Sequence, residues 1–87
     1  MKPTNLNDTI ELMRSDDYKD RFKAEYYQLK IRHEKLLAMR VKMDEGTLEF
    51  TPICPPSTYD LQLEYMEKYL AVLEARAAME GVDLVLA

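Results

Sequence analysis

Eighty-seven residues, 47% hydrophobic and 32% charged, make a single domain of ordinary globular composition. The formal net charge of −4 argues against duplex DNA as the main partner, because phosphate neutralisation dominates such binding. One cysteine (Cys54) and one histidine (His33) exclude an internal disulfide and a Cys/His metal site within one chain, and suit a reducing cytoplasm.

A monomer of this size buries only roughly 60–65% of its unfolded surface, so the chain either packs tightly alone or shares a core with copies of itself. No basic region followed by an apolar run is visible, and no apolar stretch approaches about 18 residues. Neither a secretory leader nor a membrane span is therefore expected.

Residues 1–15 form a polar N-terminal arm. Asn5 or Asn7 is placed to cap a short helix that carries Ile10, Leu12 and Met13. Ser15, Asp16 and Asp17 then suit the positive end of a following helix. From Tyr18 to about Asp44 there is no Gly or Pro, and most residues are good helix formers. A long helix over 16–45 follows. Tyr18, Phe22, Leu29, His33, Leu36 and Met43 form its inward stripe, with Tyr26 and Leu37 at the edge. Gly46 is a natural stop.

The segment 46–57 is a Pro-rich connection. Pro52, Pro55 and Pro56 forbid helix, and apolar Leu48, Phe50 and Ile53 are expected to pack down on the helices. A second long helix is expected over 58–80, opened by a capping box between Ser57 and Asp60. Its inward stripe reads Leu63, Met66, Leu70, Leu73 and Ala77 at spacings of three and four. Tyr65, Tyr69, Val72 and Met79 widen the apolar arc beyond what one hairpin partner covers, which points to burial against another subunit. The tail, 81–87, is apolar and has no expected partner within the hairpin. The predicted class is all-α: an antiparallel helical hairpin with a short helical arm, assembling as a homo-oligomer.

The residues give little support to catalysis. Gly46 and Gly81 alone cannot make a phosphate-cradling Gly-rich loop. Cys54 reads as a buried small hydrophobe and His33 as a core or interface histidine rather than a catalytic pair. Asp16–Asp17 and Asp44–Glu45 sit at helix ends, where they serve the dipole or solvation. No catalytic residue, metal or cofactor is expected.

The stretch YKDRFKAEYYQLKIR, residues 18 to 32, is the better candidate for function. Residues 18 to 40 hold seven Lys or Arg against three Asp or Glu, so this zone carries +4 and the remainder −8. A local basic zone in an acidic body can hold a small anion. Lys19, Lys23 and Lys30 fall within about 40° of one another on the helix, flanked by Tyr26 and Tyr27. Lysines offer point charges to phosphates, and tyrosines offer faces to bases. A solvated lysine face beside a core aromatic stripe would look the same.

The segment CPPSTYDLQLEYMEKYLAVLEARA, residues 54 to 77, resembles the hairpin shared by the phage anti-CBASS cyclic-oligonucleotide sponges and the related Thoeris antagonists. The resemblance lies in the Cys-Pro-Pro-Ser turn, a nearby acidic residue and a Leu/Met/Ala-rich helix. It covers about a quarter of the chain, looser elsewhere, and is strongest to sponges of T-even-type phages. It implies a homohexamer without catalytic activity, in the bacterial host cytoplasm, that binds cyclic di- and trinucleotides made by immune nucleotidyltransferases. By that resemblance the ligand site is expected at Tyr18, Lys19, Phe22, Lys23 and Tyr26, with Asn5 and Asn7 of the arm as a lid. Arg76 marks a possible second site. The arm has no Tyr or Phe, so the stacking aromatic is expected from the long helix. Two other readings compete: a small acidic protein that inhibits a host enzyme by direct binding, and a purely structural assembly factor.

Overall fold

The structure, a computed structural model, describes residues 2–84 and is all-helical. A short 3-10 helix, Leu6–Thr9, runs into α1, Ile10–Arg14. Two long helices follow, α2 over Tyr18–Glu45 and α3 over Pro56–Glu80, and pack against each other as a long pair.

Local chemistry sets these boundaries. Of the two candidate asparagines, Asn5 is the cap: its side chain accepts the Asp8 N–H at 3.1 Å. Asp8 in turn accepts the Thr4 N–H at 3.0 Å and the Thr4 hydroxyl at 3.1 Å. The Thr4 N–H, then the Thr4 hydroxyl, hold the Asp8 carboxyl below its usual range. Asp17 caps α2 by accepting the Lys19 N–H at 2.9 Å. The Ser15 hydroxyl donates to Asp20 at 2.8 Å, fixing the bend between α1 and α2.

Both long helices end on a left-handed glycine. Gly46 has φ 72° and Gly81 φ 71°. In each case the next N–H reaches back to the last turn, Thr47 to the Lys42 carbonyl at 3.1 Å and Val82 to the Ala77 carbonyl at 2.9 Å.

The start of α3 differs from the sequence expectation. Ser57 and Asp60 make no capping box. The helix begins two residues earlier, at Pro56, with Pro55 as its cap residue and no side-chain cap bond. Proline at the first helical position lacks only an N–H that would be orphaned anyway, and its fixed φ already suits the helix. Asp60 instead accepts from Arg40 Nε at 2.8 Å, and Arg40 also donates to Asp44 at 2.6 Å. One guanidinium thus ties the far ends of α2 and α3 together.

The core gathers at the opposite end. Phe22, Tyr26 and Tyr27 of α2 pack with Leu73 and Ala77 of α3 and with Val82, while Leu29, Leu70 and Leu84 pack at its margin. The Tyr26 and Tyr27 rings meet edge to face, 5.2 Å between centroids at 82°. α2 is therefore buried on two sides. One faces α3, and the other, with buried Ala24, Tyr27 and Ile31, lies where the arm packs.

Three expectations fail in this part of the chain. Phe50 is exposed and Ile53 is 101% exposed, so beyond the half-buried Leu48 the connection does not pack down; with three prolines it lacks the freedom to fold back. Cys54 is exposed rather than buried. The tail does find a partner within the hairpin: Val82 is a core residue and Leu84 lies against it, because the Gly81 turn directs the chain back over Tyr27. Residues 85–87 lie outside the described residues.

Leu73 is almost fully enclosed at the centre of this core. Leu73→Ala should cost about 2–5 kcal/mol in chemical denaturation. A loss under about 1 kcal/mol would show that the core is arranged differently.

Candidate functional site

The basic zone is divided by the fold rather than gathered whole. On one side of α2 lie Lys19, Lys23 and Lys30, all partly buried, along about 16 Å of helix. The returning tail runs beside them. The Lys19 ammonium donates to the Gly81 carbonyl at 3.3 Å, and the Tyr27 hydroxyl donates to the Leu84 carbonyl. The Lys30 ammonium stands 5.9 Å over the Tyr26 ring.

On another side lie Tyr18, exposed, and Arg76. The Arg76 guanidinium sits 4.9 Å over the Phe22 ring and donates to Glu80 at 2.9 Å. The Glu80 hydrogen bond raises its pKa, with smaller contributions from Glu25 and Tyr18 against the cost of burial. Tyr69 donates its hydroxyl to Glu25 on the same side.

The expected site residues therefore separate into three groups. Lys19 and Lys23 share the tail side with Lys30. Tyr18 and Arg76 share the opposite side. Phe22 and Tyr26 are buried between the helices, each ring with a cation near one face and α3 close by. In this arrangement neither ring offers an open face to a base. Asn5 is occupied as a helix cap, while Asn7 is exposed on the arm.

Tyr26 is tied down further by its hydroxyl, which donates to the Glu74 carboxylate at 2.8 Å. Burial, then this hydrogen bond and the Glu74 charge, push its phenol up to about 12. His33, half-buried beside α3, pairs with Glu67 at 3.2 Å.

A hollow of about 180 Å³, not evident from the lysine spacing, lies between the arm and α2. Lys2 and Thr4 of the arm and Tyr27, Lys30 and Glu34 of α2 line it. Two ammonium groups thus stand against one carboxylate beside an aromatic ring. A signal was present in the sequence: Ala24, Tyr27 and Ile31 recur at intervals of three and four, which marks a second buried stripe and hence a second element on α2. The arm reaches that stripe through Thr9. This buried hydroxyl donates to the Leu6 carbonyl at 2.7 Å and accepts from the Gln28 amide at 2.9 Å.

The family model described as Sequestin matches residues 16–79. The chain belongs to the Sequestin family. The match takes in α2, the connection and α3 to its last turn, which is the whole hairpin. The Sequestin span leaves out the arm, so the hollow joins a family element to a segment outside the match. The family name is compatible with sequestration of a ligand. No curated protein and no solved structure matches the chain. No helix among the described residues is long and apolar enough to cross a membrane.

The Tyr26 phenol gives a pH test. An unfolded tyrosine deprotonates near its ordinary value of 10.0, whereas folded Tyr26 holds its proton to about 12. Across that window the unfolded state has lost a proton that the folded state keeps, so stability falls as pH rises from 10 towards 12. Tyr26→Phe removes this contribution, so its stability should fall less steeply than the parent's over that range. Equal slopes in denaturation curves would show that Tyr26 titrates as an ordinary phenol.

Proposed function

We propose that the chain sequesters cyclic di- and trinucleotide messengers without turning them over, and so blocks bacterial CBASS immunity on behalf of a phage. The observation that carries this reading is the clustering of Lys19, Lys23 and Lys30 along one side of α2, with Lys2 brought in by the arm at the hollow. Four ammonium groups at one end of an acidic protein suit a compact anion with two or three phosphodiesters. The Sequestin name is compatible with sequestration of a ligand, and the likeness of the Cys-Pro-Pro-Ser hairpin to the anti-CBASS sponges supports a cyclic nucleotide as that ligand.

The hollow, about 180 Å³, is smaller than the roughly 300–1,000 Å³ of an ordinary small-molecule site. A single subunit therefore supplies part of the enclosure, and a homo-oligomer, a hexamer by the same resemblance, completes it. Tyr18 is the exposed aromatic of the expected set, so it is the ring free to stack on a base held by a neighbouring subunit. Lys19 meets the ligand by exchanging the Gly81 carbonyl for a phosphate, which adds attraction between opposite charges to the hydrogen bond the ammonium already makes. The chain works in the host cytoplasm, where the messenger is made. No proton transfer or nucleophile is required, because lowering the free messenger concentration is sufficient.

Calorimetric titration with a panel of cyclic di- and trinucleotides tests this. Binding should occur for at least one ring size, and heating the complex should return the ligand intact. Lys23→Ala should weaken binding about 10- to 150-fold, equivalent to about 1.5–3 kcal/mol for a charged hydrogen bond. Absence of heat with every ring size, or recovery of a linearised product, would remove the reading.

A further inference from the structure

We propose that the hollow under the arm is a base pocket that selects guanine, with Glu34 as the residue that sets the choice. This inference rests on the reading of the chain as a cyclic-nucleotide binder and names the base that one corner of the site takes.

The lining of the hollow is not that of a phosphate site. Its walls include Pro3, Tyr27 and Ile31, all buried, and Lys2, Lys30 and Glu34 reach it as charged groups. Apolar walls with a few polar groups are what a flat heterocycle needs. A phosphodiester calls for donors alone, and a carboxylate beside it is repulsive. At about 180 Å³ the hollow holds about six waters at roughly 30 Å³ each, which is the scale of one base rather than of a dinucleotide ring.

The carboxylate is also uncommitted. Glu34 stands four residues after Lys30 on α2, a spacing at which helical ion pairs form. The Lys30 ammonium instead stands 5.9 Å over the Tyr26 ring. Among the described residues, the exposed Glu34 carboxylate has no hydrogen-bond or ion-pair partner.

Guanine matches this set of groups. Its Watson–Crick edge carries two adjacent donors, N1–H and the N2 amine, for the two acceptor oxygens of Glu34. Its O6, with N7 beyond, accepts from an ammonium of Lys2 or Lys30. Adenine reverses the pattern. Its N1 is an acceptor that would face the carboxylate, and its N6 amine would face the ammonium groups. Groups left unpaired in this way are what rejects the wrong base. Lys19 and Lys23 remain for the phosphodiesters, and Lys30 lies where the lysine row meets the hollow.

Calorimetric titration of the full chain with cyclic di-GMP and cyclic di-AMP tests the assignment. Cyclic di-GMP should bind about 5- to 150-fold more tightly, the discrimination of one bidentate base contact. In Glu34→Gln, whose carboxamide offers one acceptor and one donor, that preference should shrink by at least about fivefold while helicity stays at the parent level. Lys23→Ala should weaken both rings by the same factor, because a phosphodiester is common to them. Equal affinity of the parent for the two rings would overturn the base assignment and leave sequestration standing. So would a Glu34→Gln variant that tightens both rings equally, the behaviour of a carboxylate that merely repels phosphate. Silence with both rings would also overturn it, and would end the sequestration reading only if trinucleotide rings were silent too.

Discussion

The structure depends on one cluster, in which three successive inward aromatics of α2 close on Leu73, Ala77 and Val82. Two helices touching along single stripes would bury too little apolar surface to hold so short a chain. This protein adds a third contributor by returning its tail over the cluster through the Gly81 turn. The aromatic end of the hairpin is therefore enclosed by α3, the tail and the arm at once. The other end has no such cover. There Arg40 bridges Asp60 and Asp44, and the connection stands in solvent. Burial is graded along the hairpin, greatest around the aromatic cluster and least near Ile53.

The same cluster explains why the candidate site is hard to read. Phe22 and Tyr26 have the composition of a stacking platform, and they stand beside lysines. A helical repeat records only which way a residue points, so it cannot separate a ring that faces a ligand from one that faces a neighbouring helix. The fold assigns both rings to the core and leaves the cations around them. Arg76 over Phe22 and Lys30 over Tyr26 are the result: each cation rests on a ring that packing has already fixed.

Much of the architecture was legible beforehand. The unbroken run from Tyr18, the two glycine stops and the Leu63–Ala77 row were all plain in the sequence, because backbone propensity and spacing decide them locally. The misses share a cause. Phe50, Ile53 and Cys54 are apolar or usually buried, yet burial depends on whether the prolines allow the segment to reach the helices, and they do not. Ser57 has the right chemistry for a cap but is preceded by Pro56, which takes the first helical position itself. Val82 looked unpartnered because the α2 aromatics it meets are more than fifty positions away. The hollow under the arm was invisible for the same reason, although the Ala24–Tyr27–Ile31 spacing did announce a second contact on α2.

The edge-to-face tyrosine pair has a practical side. The chain has no tryptophan, so its near-ultraviolet dichroism comes almost wholly from six tyrosines and two phenylalanines. Only rings held in a fixed chiral setting give such a signal. Tyr26 and Tyr27, locked at 82° and each anchored by its hydroxyl, are therefore a built-in optical gauge of the native interior, readable without any label.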